Sequence, residues 1–113
     1  MNMQPTVVAL VLLLSAGAAQ AQVQQTRYKV YGTGNTSCAM YAEAQKNTPE
    51  YFQYASWILG YVSAAGLYSV KELPPTESDP ILATALLYCQ QHPMAAIADA
   101  GEYAVQQLRQ DGQ

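Results

Sequence analysis

Thr48-Pro49-Glu50-Tyr51-Phe52-Gln53-Tyr54-Ala55-Ser56-Trp57-Ile58-Leu59-Gly60-Tyr61-Val62-Ser63-Ala64-Ala65-Gly66-Leu67-Tyr68 is the stretch on which the fold turns. Thr48 is a natural N-cap, Pro49 suits the first helical position, and Glu50 complements the helix dipole in the first turn. From there Tyr51, Tyr54, Ala55, Ile58, Val62 and Ala65 recur at helical spacing. Trp57, Tyr61, Ala64 and Tyr68 widen the stripe, leaving Gln53, Ser56, Gly60 and Ser63 as a small or polar strip. A helix apolar around most of its circumference belongs in the middle of a bundle. Tyr51 to Val70 also carries no charge, and Ser56, Gly60 and Ala64 repeat small residues at the spacing of packed membrane helices. Four tyrosines, one glutamine and three serines make it a poor hydrocarbon segment, however. A span would also part the two cysteines that flank it. A buried core helix is the expectation, and a transmembrane helix the alternative.

Upstream, a short helix is expected near Cys38 to Lys46, with Asn35, Thr36 and Ser37 as available caps. Asn35-Thr36-Ser37 also matches a glycosylation sequon. Residues 22–34 lack helical period and read as a flexible lead-in, with Gly32-Thr33-Gly34 as a turn and not a phosphate loop. Downstream, Lys71 to Asp79 contains Pro74-Pro75 and reads as an exposed loop. Ser78 or Asp79 then caps a third helix, whose inward face is Ile81, Leu82, Ala85, Leu86 and Cys89. His92-Pro93 ends it and starts a fourth, with Pro93 first and Met94, Ile97, Ala98, Gly101, Ala104, Val105 and Leu108 in one stripe. Asp99, Glu102, Tyr103, Gln106 and Gln110 take the other side. The reading is all-α: a small four-helix domain over residues 35–110, one helix short and three longer, with a single disulfide.

The N-terminus has a different character. Val7 to Leu14 is an unbroken apolar run, followed by Ala19-Gln20-Ala21. That is the pattern of a signal peptide over residues 1–21, cleaved near Ala21-Gln22, although its first residues lack Lys and Arg. The apolar run is too short to span a bilayer, which takes about 20 residues. Periplasmic or secreted localisation follows as an expectation, with no membrane span in the mature protein. Cys38 and Cys89 are the only cysteines, so export would join them in one disulfide closing a loop of about fifty residues. Free or reactive thiols are the alternative. A net charge of −3, thinly spread, provides neither the basic stripe that nucleic acid requires nor a polybasic patch for anionic membranes.

No catalytic constellation can be assembled. His92 is the only histidine, and its place between two helices suits a junction better than catalysis. The acids fall on outer faces or in the loop, and no metal set or cofactor loop is present in the sequence. The chain is therefore read as no enzyme, with no cofactor. Its nine tyrosines exceed what a small core holds, and tyrosine is favoured at interfaces. Tyr61, Tyr68 and Tyr103, together with Lys71, Glu72 and Glu77 of the loop, form the candidate partner surface. The alternative is that the tyrosines pack along helix seams. Expected partners are other proteins, whether unfolding clients or one specific partner, and a homodimer is compatible with the pattern.

At Ser37-Cys38-Ala39-Met40-Tyr41-Ala42 and Tyr88-Cys89-Gln90-Gln91-His92-Pro93 the chain resembles the HdeA/HdeB family of periplasmic acid-stress chaperones. The resemblance extends over roughly 35–108 and includes the separation of the cysteines and the apolar segment around Trp57. It implies an exported all-helical domain with Cys38 and Cys89 as its disulfide. It also implies an ATP-independent holdase that dissociates in acid, exposes apolar surface and holds unfolding clients. Gly34-Asn35, Gly60-Tyr61-Val62 and His92-Pro93 leading into Ala100 and Leu108 are similar to the Rap1a/Tai immunity proteins. Those neutralise secreted peptidoglycan amidases, which implies a specific protein partner.

Overall fold

Thr48 caps the long helix as its sequence requires: its hydroxyl oxygen accepts the Tyr51 N–H at 3.2 Å, and Pro49 occupies the first turn. The computed structural model describes residues 28–112. The expected signal peptide and residues 22–27 of the lead-in lie outside them. Among the described residues there are four α-helices, α1 Cys38–Glu43, α2 Pro49–Tyr68, α3 Ser78–Gln91 and α4 Ile97–Asp111, preceded by a 3-10 turn, Gly32–Asn35. No helix among them, α2 included, is long and apolar enough to cross a membrane.

The all-α reading holds, with one short helix and three longer ones. Two boundaries move. α1 ends at Glu43, three residues before Lys46, where the Ala44 N–H turns to Tyr41 O and Asn47 takes a left-handed φ of 69°. α4 begins at Ile97 and not at Pro93, because residues 93–97 are used elsewhere. The Cys38 N–H donates to Ala95 O at 2.7 Å and the Ala39 N–H to Pro93 O at 3.1 Å. The Ile97 N–H donates to Thr36 O at 2.9 Å in return, around a single antiparallel bridge of Ser37 with Ala96. The first turn of α1 thus gives its unpaired N–H donors to the α3–α4 linker, not to a Ser or Thr side chain. Asp99 fixes the other end of this exchange, its Oδ2 accepting the Ala96 N–H at 3.0 Å. Met94, placed by periodicity in the buried stripe, is 94% exposed in the linker.

The linker matters because it brackets the disulfide. Cys38 and Cys89 are bonded, with Cα atoms 4.7 Å apart and both side chains fully buried. Around them pack Tyr41, Tyr54, Ile58, Ala85, Ile97 and Ala100; Val62, Ala104 and Val105 form a second buried group further along α2 and α4. No charged side chain is buried among the described residues.

α2 is less enclosed than its apolar circumference suggested. Tyr54, Ala55, Ile58 and Val62 are buried, but Phe52, Ser56, Gly60, Ser63, Ala64, Leu67 and Tyr68 face outward. α2 packs chiefly against α4, α3 and the 3-10 turn, which do not suffice to surround a twenty-residue helix.

The described part of the lead-in is folded onto the domain. The Trp57 indole N–H donates to Tyr31 O at 3.0 Å, and Asn35 Nδ2 donates to Val30 O at 2.7 Å. Gly34 is buried against the indole, and a Cβ there would clash with the six-membered ring of Trp57. Glycine at 34 is a requirement of close approach, and the turn clamps Trp57 against α2.

Candidate functional site

The chemistry-bearing residues take structural positions. His92 is exposed at the end of α3, stacked on Tyr88 with ring centroids 4.2 Å apart, and its Nδ1 lies 3.0 Å from Tyr88 O. The two cysteine sulfurs are joined to each other, which sets aside the reactive-thiol alternative. Seven of the eight acids (Glu43, Glu50, Glu72, Glu77, Asp79, Glu102 and Asp111) are exposed, and the eighth, Asp99, is the half-buried cap of α4.

The tyrosines divide into two kinds. Tyr41 is fully enclosed, its ring 5.9 Å from Tyr51 and 6.3 Å from Tyr54, and its hydroxyl reaches Leu82 O at 3.4 Å. Burial, reinforced by the neighbouring Tyr51 hydroxyl, pushes its phenol well above the ordinary value of 10. Tyr28 is raised by burial and by its bond with Tyr61, and Tyr88 by burial and by the nearby carboxylates of Asp99 and Glu102. A group that holds its proton more tightly when folded contributes stability that is fully present below its unfolded pKa and lost as pH rises beyond it. Stability should therefore be level from pH 7 to 9 and fall above pH 10, by up to about 1.4 kcal/mol per pH unit from Tyr41. Urea midpoints measured against pH check this. Tyr41→Phe should flatten the alkaline slope, and an unchanged slope in that variant would contradict the assignment.

The structure does not bring all six residues of the candidate partner surface together. Tyr61 is half-buried: it stacks on Trp57 at 5.7 Å, lies 6.2 Å from Tyr28 and fills the space above Gly101. Tyr103 is half-buried beside Tyr88, with centroids 5.2 Å apart. Both belong to helix seams, as the alternative reading had it. Glu77 is exposed where α3 starts.

Lys71 and Glu72 do come together, just beyond Tyr68 at the end of α2 far from the disulfide. Ser69 leaves the helix in an extended conformation, its hydroxyl donating to Ala65 O at 2.7 Å. The chain then lays Leu73 and Pro74 against the end of α4. Between them runs a cleft of about 340 Å³, lined by Ser69, Val70, Lys71, Glu72, Leu73, Pro74, Arg109 and Gly112. Val70, on its wall, is wholly exposed, and Tyr68, two residues before it, is 81% exposed.

Ser69, Val70, Arg109 and Gly112 are the lining residues that the sequence did not single out. Val70 was legible: it is an apolar residue just beyond the last helical turn and directly before Lys71. Arg109 had no local signal, since it reaches the cleft only through the packing of α4. No family model, curated protein or solved structure matches the chain.

Proposed function

We propose that this chain is an exported, non-catalytic module that binds another protein through a preformed surface at the C-terminal end of α2. The observation that carries the reading is Val70, bare to solvent on a cleft bordered by Lys71, Glu72 and Arg109, with exposed Tyr68 two residues before it at the end of α2. Large apolar side chains rimmed by charge are the usual composition of a recognition patch. The disulfide supports export, because such bonds persist in oxidising compartments, and Val7 to Leu14 with Ala19-Gln20-Ala21 supply a signal for it. The test is affinity capture at pH 7 from an envelope extract, with the bound partner then titrated in purified form. One stoichiometric partner is expected, with Tyr68→Ala/Val70→Asp weakening it about tenfold or more. Absence of a partner at pH 7, or one indifferent to both substitutions, would count against the reading.

A second reading, the acid-stress holdase of HdeA/HdeB type, is favoured by one feature of the charge distribution. With all eight carboxylates neutral, five Lys and Arg plus protonated His92 turn the net charge from −3 to +6. The only half-buried carboxylate, Asp99, holds the linker that brackets the disulfide. Acid would then loosen the helices by self-repulsion while the disulfide keeps them tethered. Dye binding and client aggregation followed from pH 7 to pH 2 decide it. Protection appearing only in acid would establish the holdase; no exposure and no protection at pH 2 to 3 would remove it.

A further inference from the structure

We infer that the outward face of α2 is a self-association surface on which a second copy of this chain docks antiparallel. This face is separate from the proposed partner surface: successive helical residues are about 100° apart, so Tyr68 points well away from Leu67. Phe52, Ser56, Leu59, Gly60, Ser63 and Leu67 share an arc of about 100° on α2. Phe52 is 53% and Leu67 74% exposed, and a Cβ built at Gly60 would meet nothing within 4 Å. The face therefore carries a large apolar residue near each end and an open notch at its centre.

The occupant follows from the order of these residues. They form three pairs placed symmetrically about the midpoint between Leu59 and Gly60: Leu59 with Gly60, Ser56 with Ser63, and Phe52 with Leu67. A two-fold axis through that midpoint, perpendicular to the helix, sets each residue opposite its pair-mate in the other copy. Leu59 then enters the notch over Gly60 of the second copy, Ser56 meets Ser63, and Phe52 rests on Leu67. A two-fold interface uses the same patch twice, so it demands this kind of self-complementarity.

Charge and hydrogen bonding agree. No charged residue lies between Tyr51 and Val70, so two such faces meet without like-charge repulsion, whereas a charged partner would bury ions unpaired. The Ser63 hydroxyl already donates to Leu59 O at 2.8 Å, so covering it orphans no donor. A contact confined to one helix pair is small beside the ~1,200 Å² or more that stable complexes bury. The dimer is accordingly weak, and its population depends on concentration.

The experiment is sedimentation of the intact disulfide-bonded chain at pH 7 across micromolar to millimolar concentration. A monomer–dimer equilibrium is expected, and Ser56→Lys or Ser63→Glu alone should weaken it about tenfold or more. Both positions are solvent-exposed, so each variant should keep the parent's thermal midpoint and helical signal. The double variant Ser56→Lys/Ser63→Glu should recover the association, because the new lysine and glutamate face each other twice across the axis. Tyr68→Ala/Val70→Asp should leave it untouched, which separates this surface from the proposed partner site. A monomeric mass at every concentration, single variants that dimerise normally, a double variant no tighter than the singles, or loss of the dimer in Tyr68→Ala/Val70→Asp would each overturn the inference.

Discussion

Removing the disulfide with Cys38→Ala/Cys89→Ala is expected to lower the free energy of unfolding by about 4 kcal/mol. The bond closes a separation of 51 residues, and the loss of that constraint frees the unfolded chain. A domain of this size has only about 5–15 kcal/mol in total, so the variant should sit near its unfolding threshold at 37 °C. Alanine is the informative replacement, because a serine would place a hydroxyl in a fully buried site and add the cost of an unpaired polar group. The damage should begin locally. α1 has six residues, too few to stand alone, and apart from Cys38 it is held mainly by Tyr41 and the backbone bonds to residues 93–97. Hydrogen exchange should show α1 amides losing protection before those of α2 and α4. An unfolding midpoint within about 1 kcal/mol of the parent would show that native contacts around the cysteines already do what the bond was taken to do.

What could be read from the chain alone separates by range. Thr48-Pro49-Glu50 marks the start of α2 because capping is a local matter, decided within one turn. Pro93 offers the same kind of signal for α4, and there it misleads. Residues 93–97 bond to 36–39, nearly sixty positions away, and that pairing outweighs a preference worth only tenths of a kcal/mol. Gly34 is a case of the same kind. Its role is set by the indole of Trp57 lying over it, and nothing in Gly32-Thr33-Gly34 itself announces that contact. Periodicity correctly put Tyr103 off the main stripe of α4, but the same pattern is silent on Tyr88, which reaches across from α3 to cover it. Tyr68 and Lys71, by contrast, stand at a helix end and in a turn, where exposure is the default. The part of the candidate surface built from neighbours in sequence was legible. The part contributed by Arg109 required the packing of α4.

Ile97→Ala is expected to cost roughly 3 kcal/mol, more than any other single truncation of an aliphatic side chain at the ends of α4. Ile97 is fully buried in the same group as both cysteines, and its N–H fastens α4 to Thr36 O at 2.9 Å. Leu108, half-buried near the other end of the helix, should cost about half as much as alanine, since part of its surface is already in water. Ile97→Val removes one methylene and should cost about 1 kcal/mol, giving a graded series that a cavity effect predicts and a misfolded variant would not follow. The more demanding expectation concerns the combination with the cysteine variant. Ile97 touches the cluster that the disulfide organises, so once either is lost the linker can relax and the second loss removes less. The triple variant should therefore be more stable than the sum of its parts implies, by about 1 kcal/mol or more. Stability of the triple variant will be within reach of measurement only under stabilising osmolyte, with every member of the cycle in the same solution. Strict additivity, within about 0.3 kcal/mol, would mean that Ile97 and the disulfide act on separate parts of the fold, and that the linker is no mechanical bridge between them.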